Sequence, residues 1–304
     1  MRRVVVWMLM GWIGVGCAGR RSIARDASVA RGVSCEALAP ETFHEVIPAS
    51  STSEDRAVAV GALGPRAAHI AEILGVLPDV VALTDADIDP LHQLGRLDHI
   101  RARVLDASLA LSGLLAELEC EEERVEGLAA AVSGARDAHH RQLTLSAIVV
   151  GAVTGVAAGS LALAGEGRAA EITAIGGAVA EGAIGGVMLG RARKVELPLR
   201  RNHLQPIGTG EDPLGLYPPV VWSLLSLPVA GESLSRREGL AVRWAETSTE
   251  AELDRLYGPG GAFRPSELEH RADRIDELDA ELGMLKGDLR ALLAAVEALV
   301  RRAP

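Results

Sequence analysis

The chain has 304 residues, a net charge of −10 and only 3% aromatic residues. An acidic chain with so few stacking side chains is not built to bind nucleic acid. Its 48% hydrophobic share comes mostly from Ala, Val and Leu, which points to helices packed through small residues. Lys194 and Lys286 are the only lysines, so nearly all positive charge is arginine, the bias of a GC-rich bacterial genome.

Residues 1–16 read as a signal peptide. Arg2 and Arg3 form a basic start, and Val4 to Val15 form an apolar run too short to span a bilayer comfortably. The run ends in Gly14-Val15-Gly16-Cys17, which resembles the lipobox of bacterial lipoproteins, although Gly14 stands where Leu is usual. That resemblance implies acylation of Cys17, its palmitate-type chains anchoring the protein to a membrane. Ala18 in place of Asp implies sorting to the outer membrane, facing the periplasm. Residues 17–50 read as a tether. Of the two remaining cysteines, Cys35 and Cys120 either pair in an oxidising compartment or stay free, because sequence alone does not place them within bonding distance.

Residues 51–88 hold short helices. Ser51 with Glu54 reads as a capping box, and His69, Ile70, Ile73, Leu74 and Leu77 form an apolar stripe closed by Pro78. Asp85, Asp87 and Asp89 start like a calcium loop, but Pro90 replaces its glycine and Arg96 its bidentate Glu. Asp89 is better read as an N-cap with Pro90 at the first helical position.

A long helix is then expected over 89–142. Leu97, Val104, Leu111, Leu118, Val125 and Val132 recur every seven residues. Ile100, Ala107, Leu114, Leu128 and Ala135 fill the second core position, with Glu121 as the one break. A matching helix closes the chain over 263–304, with Ser266 and Glu269 as its capping box. Leu268, Ile275, Leu282, Leu289 and Val296 form one seam, and Leu278, Leu285, Leu292 and Leu299 the other. The two helices are expected to pair antiparallel within one chain; the competing arrangement is self-association of each.

Between them, residues 143–192 form two uncharged or nearly uncharged arms joined by a polar turn. Ala147, Gly151, Gly155 and Gly159 repeat every four residues in the first. Ala170, Ala174, Ala178, Gly182, Gly186 and Gly190 do so in the second, which carries Glu181. Four-residue spacing puts each set on one stripe, and a stripe without bulky side chains lets two helices approach closely in lipid. The arms are expected either to insert in a bilayer or to be buried within the protein. With the turn Gly165-Glu166-Gly167-Arg168, this segment resembles the glycine-zipper two-transmembrane domain of small outer-membrane lipoproteins. The resemblance covers about 147–191 and implies a structural, oligomerising envelope role. The basic run Arg191-Ala192-Arg193-Lys194 follows, either as a charged helix end or as a headgroup contact.

Residues 193–262 form a Pro-rich insert. Val220 to Leu225 is a strand, a buried helical turn or an interfacial patch. Short helices follow near 235–246 and 248–257, capped by Ser235 with Glu238 and Thr247 with Glu250, and Gly258 to Gly261 forms a turn. His139 and His140 read as a polar collar before the arm, since adjacent helical side chains diverge and no further ligand completes a metal site. No catalytic motif, cofactor site or small-molecule site stands out.

The expected fold is therefore mostly α: long antiparallel coiled-coil helices flanking a Gly/Ala-rich hairpin, with a Pro-rich irregular insert. The expected role is non-enzymatic: a lipid-anchored envelope protein associating with membrane lipid and with copies of itself or a protein partner. The alternative is a membrane-permeabilising effector, laid out like an α-helical pore-forming toxin, whose hairpin inserts into bilayers.

Overall fold

The structure, a computed structural model, describes residue 35, residues 51–163, 165, 168 and 171, and residues 194–228 and 233–302. It is mostly helical. In chain order the elements are α1 (Ser53–Leu63), α2 (Pro65–Ile73), α3 (Leu77–Ala82), α4 (Pro90–Leu163), β1 (Val195–Pro198), α5 (Leu204–Thr209), α6 (Pro219–Leu225), α7 (Arg236–Thr247), α8 (Glu250–Tyr257), β2 (Gly260–Phe263) and α9 (Pro265–Arg302). Two compact units result. One comprises Ser34–Val125, Pro198–Gly261 and Glu269–Pro304; the other comprises Met1–Val33, Glu126–Leu197 and Ala262–Leu268.

In the first unit, which we call the helical body, the heptads of α4 and α9 lie where their spacing puts them. Leu97, Val104, Leu111 and Leu118 are buried, as are Ile275, Leu282, Leu289 and Val296. Two contacts fix the direction of pairing. Arg101 near the start of α4 donates to Glu297 near the end of α9 at 2.8 Å, while Glu121 accepts from Arg271 at 2.5 Å. The two helices therefore run antiparallel.

The shorter helices bury their apolar faces in the same core. Ile70, Leu74 and Leu77 are buried, whereas His69, expected on that stripe, is exposed. Pro78 does not simply end α2; it lies in the first turn of α3, where its missing N–H costs nothing. Residues Val220 to Leu225 resolve into the helical turn α6, with Val220, Val221, Leu224 and Leu225 buried. Trp244 of α7 is fully buried, and its indole N–H donates to Glu277 of α9 at 2.8 Å. Arg66 of α2 and Arg236 of α7 converge on Asp288 of α9, and Arg236 and Arg243 on Glu281.

Several helix starts differ by one or two residues from expectation. The first box is Thr52 with Asp55, not Ser51 with Glu54; the hydroxyl of Ser51 instead donates to Glu72. Ser235 with Glu238 is present as expected. Thr247, expected to cap α8, is the last residue of α7 and bonds back to the Arg243 carbonyl; Thr249 with Glu252 is the box. The last helix starts at Pro265, ahead of Ser266, and Glu267 accepts from the Arg264 N–H at 2.6 Å. Each shift has one cause: neighbouring hydroxyls or carboxylates compete for the same free N–H groups, and the backbone turn decides. Asp89 does cap α4, accepting from the N–H groups of Leu91 and His92.

Residues expected as a turn at Gly258 to Gly261 run into strand β2, which pairs with β1. Gly260 and Gly261 have φ of 104° and 135°, a region that side chains disfavour. At Gly208 the constraint is contact instead. A Cβ there would fall inside the Tyr257 ring, so α5 and α8 touch only because the side chain is absent. Gly208→Ala is expected to lower stability by about 1–3 kcal/mol through overpacking. Urea denaturation checks it, and an unchanged midpoint would mean the ring moves freely aside.

In the second unit, Leu128, Ala129, Val132, Val195, Leu197, Phe263 and Leu268 are buried. From Glu126 onward α4 continues without interruption to Leu163, so the first arm is the C-terminal part of the long helix. Gly165 follows with φ of 83°, as a chain leaving a helix needs.

Candidate functional site

Three features stand out. The first is a stripe on the arm. Leu145, Ile148, Val153 and Val156 are 61%, 62%, 64% and 74% exposed, and Val149 shares their face. Steps of three, one, four and three residues put all five on one side of a helix. Large aliphatic side chains left this open in a row mark a surface that something else covers.

The glycine ladder lies on the same arm. Ala147, Gly151, Gly155 and Gly159 are helical, and Gly155 is exposed, with no described atom within 4 Å of a Cβ built there. Its expected counterparts Ala174, Ala178, Gly182, Gly186 and Gly190, together with Ala170 and Glu181, lie outside the described residues, as does Cys17. Among the described residues, no helix is long and apolar enough to cross a membrane.

The second feature is a disulfide between Cys35 and Cys120, with Cα atoms 5.5 Å apart. The open choice at these two cysteines is thus settled for the bond. It fastens Cys35 directly to α4 and closes a loop whose ends are 85 residues apart in sequence. Such bonds persist in oxidising compartments.

The third is a buried charge cluster at the one break in the heptads. Glu121 occupies a core position and is 4% exposed. Arg271 of α9, 1% exposed, donates to Glu121 at 2.5 Å, to Asn202 Oδ1 at 3.0 Å and to the Leu256 carbonyl at 3.2 Å. His203 stands between two carboxylates, Nδ1 3.4 Å from Glu121 and Nε2 3.4 Å from Glu117. Arg201 completes the set by pairing with Glu117 at 2.8 Å. Tyr217 donates its hydroxyl to the His203 carbonyl at 2.6 Å.

Charge balance explains why this cluster holds. Burial alone would push the Glu121 carboxyl up, but the Arg271 charge and the hydrogen bond from His203 outweigh it and hold the group down to about 2. Burial, with the charges of Asp212, Glu121 and Glu117, drives the Tyr217 hydroxyl well above its ordinary value, so it remains a donor. Of the cluster's charged groups, only Arg201 is appreciably exposed. The cluster is closed to a substrate, and its geometry is that of a brace joining α4, α9 and the loop before α5.

One groove of about 580 Å³ opens on the helical body, with Arg56, Val60, His69, Glu72, Ile73 and Val220 among its lining. It shares no residue with the cluster, and Arg56 is committed to an ion pair with Glu72. Among the described residues, no group of three His, Cys, Asp or Glu side chains is placed to hold a metal ion.

Of this cluster the sequence analysis singled out Glu121, visible as a break in the seam of α4. A charged residue at a core position requires a buried partner. Arg271, three residues after the core residue Leu268, is the signal on the other helix. Nothing local marks Asn202 or His203. No family model, curated protein or solved structure matches the chain.

Proposed function

We propose that the protein is a lipid-anchored component of the bacterial envelope that acts by association, not by catalysis. Cys17 carries the acyl chains into the outer membrane, the arm of α4 lies against lipid, and the helical body in the periplasm associates with a copy of itself or another protein. The observation that carries this reading is the aliphatic stripe Leu145, Ile148, Val149, Val153 and Val156. Covering one such side chain fully is worth roughly 1.5–3 kcal/mol, so five partly open ones supply a substantial drive to leave water. Several acyl chains then make attachment lasting where one would not.

The disulfide supports the same compartment. Cys17 precedes Cys35 by eighteen residues, so the anchor would hold Cys120 within about 60 Å of the bilayer surface.

Mass spectrometry of the full-length protein, with flotation on phosphatidylglycerol-containing vesicles, tests both parts. Acylation at Cys17 is expected, and its absence would end the anchor reading. The Cys17→Ser protein is expected still to float through its arm, and Ile148→Glu with Val153→Glu to abolish that. Failure of Cys17→Ser to float would end the arm reading. Release of trapped dye from the vesicles would favour the permeabilising alternative.

A further inference from the structure

Three cysteines allow three pairings, and the folded chain holds one of them. Cys35 and Cys120 are joined, with Cα atoms 5.5 Å apart and 85 positions between them in sequence. Both residues are half-buried, so a thiol can reach the bond. Cys120 is carried by α4, one residue before Glu121 of the brace. The third thiol, Cys17, stands only eighteen positions before Cys35.

Before the body folds, chain length decides which thiols meet. The entropy cost of closing a loop grows with the logarithm of its length. An unfolded chain therefore closes the loop from Cys17 to Cys35 about tenfold more readily than the 85-residue loop to Cys120. Folding reverses this preference. The native structure holds Cys35 beside Cys120, and the stability that their bond lends the fold is gained only there.

The chemistry of oxidation exposes the conflict. A disulfide oxidant takes up two electrons and leaves as two thiols, while two protein thiols lose their protons and join. With all three cysteines free, the unfolded chain is oxidised mostly between Cys17 and Cys35. Escape requires the Cys120 thiolate to attack Cys35 Sγ. The Cys35–Cys120 bond then forms, the Cys17–Cys35 bond breaks, and Cys17 leaves as a thiolate that takes up a proton; no oxidant is consumed. A Cys17 sulfur already bonded to lipid enters none of these steps.

We infer that lipid attachment at Cys17 precedes thiol oxidation in the maturation of this chain, and thereby secures the Cys35–Cys120 pairing. In the reverse order, the early Cys17–Cys35 bond withholds the sulfur that the lipid must take. The inference rests on the anchor reading above and gives the anchor a second task. The competition among the thiols belongs to the chain itself and is measured without lipid.

The full-length protein, made without acylation and reduced, is to be oxidised with oxidised glutathione in concentrated urea, and its disulfides mapped by mass spectrometry. Cys17–Cys35 is expected to exceed Cys35–Cys120 about tenfold. Equal or reversed yields overturn the inference and leave the anchor reading untouched. Pulse-chase labelling in the producing bacterium, with free thiols blocked at each time, tests the order itself. Acylated chains that still carry free Cys35 and Cys120 thiols are expected first. A Cys35–Cys120 bond formed ahead of the lipid overturns the inference alone. A chain that is never acylated overturns it together with the anchor reading.

Discussion

Replacing Arg271 with methionine is expected to destabilise the helical body by about 3–5 kcal/mol, the usual result of stranding one member of a buried ion pair. Glu121 would keep its core position with only His203 beside it, and Asn202 and the Leu256 carbonyl would each lose a donor. The chain has no cheap escape, because Glu121 is 4% exposed and cannot turn to water without opening the seam. Urea denaturation followed by circular dichroism measures the loss. The double variant Glu121→Leu with Arg271→Met is expected to recover much of it, since an apolar pair of similar size often matches or exceeds a buried ion pair. A double variant no better than Arg271→Met would instead assign the effect to Arg271's bonds with Asn202 and Leu256.

The same pair sets an acid limit. The Glu121 carboxyl is held down to about 2 in the folded chain and rises to its ordinary value of 4.5 on unfolding. A depressed carboxyl contributes stability that is fully present above the unfolded value and is lost as pH falls towards the folded one. The Glu121 contribution should therefore decline between about pH 4.5 and pH 2, and Glu121→Gln should flatten that part of the profile.

Breaking the disulfide is the second large effect. Cys35→Ser with Cys120→Ser is expected to lower stability by about 2–5 kcal/mol, because the bond closes a long loop and so restricts the unfolded chain. Dithiothreitol should lower the wild-type urea midpoint by the same amount and leave the double-serine variant unmoved. A reductant effect on that variant would point away from this bond.

The parts of the fold that a repeating period encodes are legible in the sequence. The seam of α4 from Leu97 to Leu118 and the seam of α9 need no knowledge of the rest of the chain. A side chain every seven residues finds the same face, and Ile275, Leu282, Leu289 and Val296 are buried as that period requires. The caps are legible only to within a residue or two, because Thr52 and Ser51, or Thr249 and Thr247, offer the same chemistry to the same N–H groups. Val220 to Leu225 is ambiguous because a short apolar run suits a strand or a buried helix equally, and only packing decides. Arg271 and Glu121 are 150 positions apart and Cys35 and Cys120 are 85 apart. No local pattern reports such distances. On the arm, spacing locates the small residues, while the open aliphatic face beside them becomes visible only in the folded helix.

Under the anchor proposed at Cys17, the bond between Cys35 and Cys120 would also decide how the protein is shed. A protease cutting anywhere in 36–50 would break the main chain yet release nothing, for the two fragments would remain covalently joined through sulfur. Discharge of the body from the acyl anchor proposed at Cys17 would take a reductant as well, or a cut ahead of Cys35.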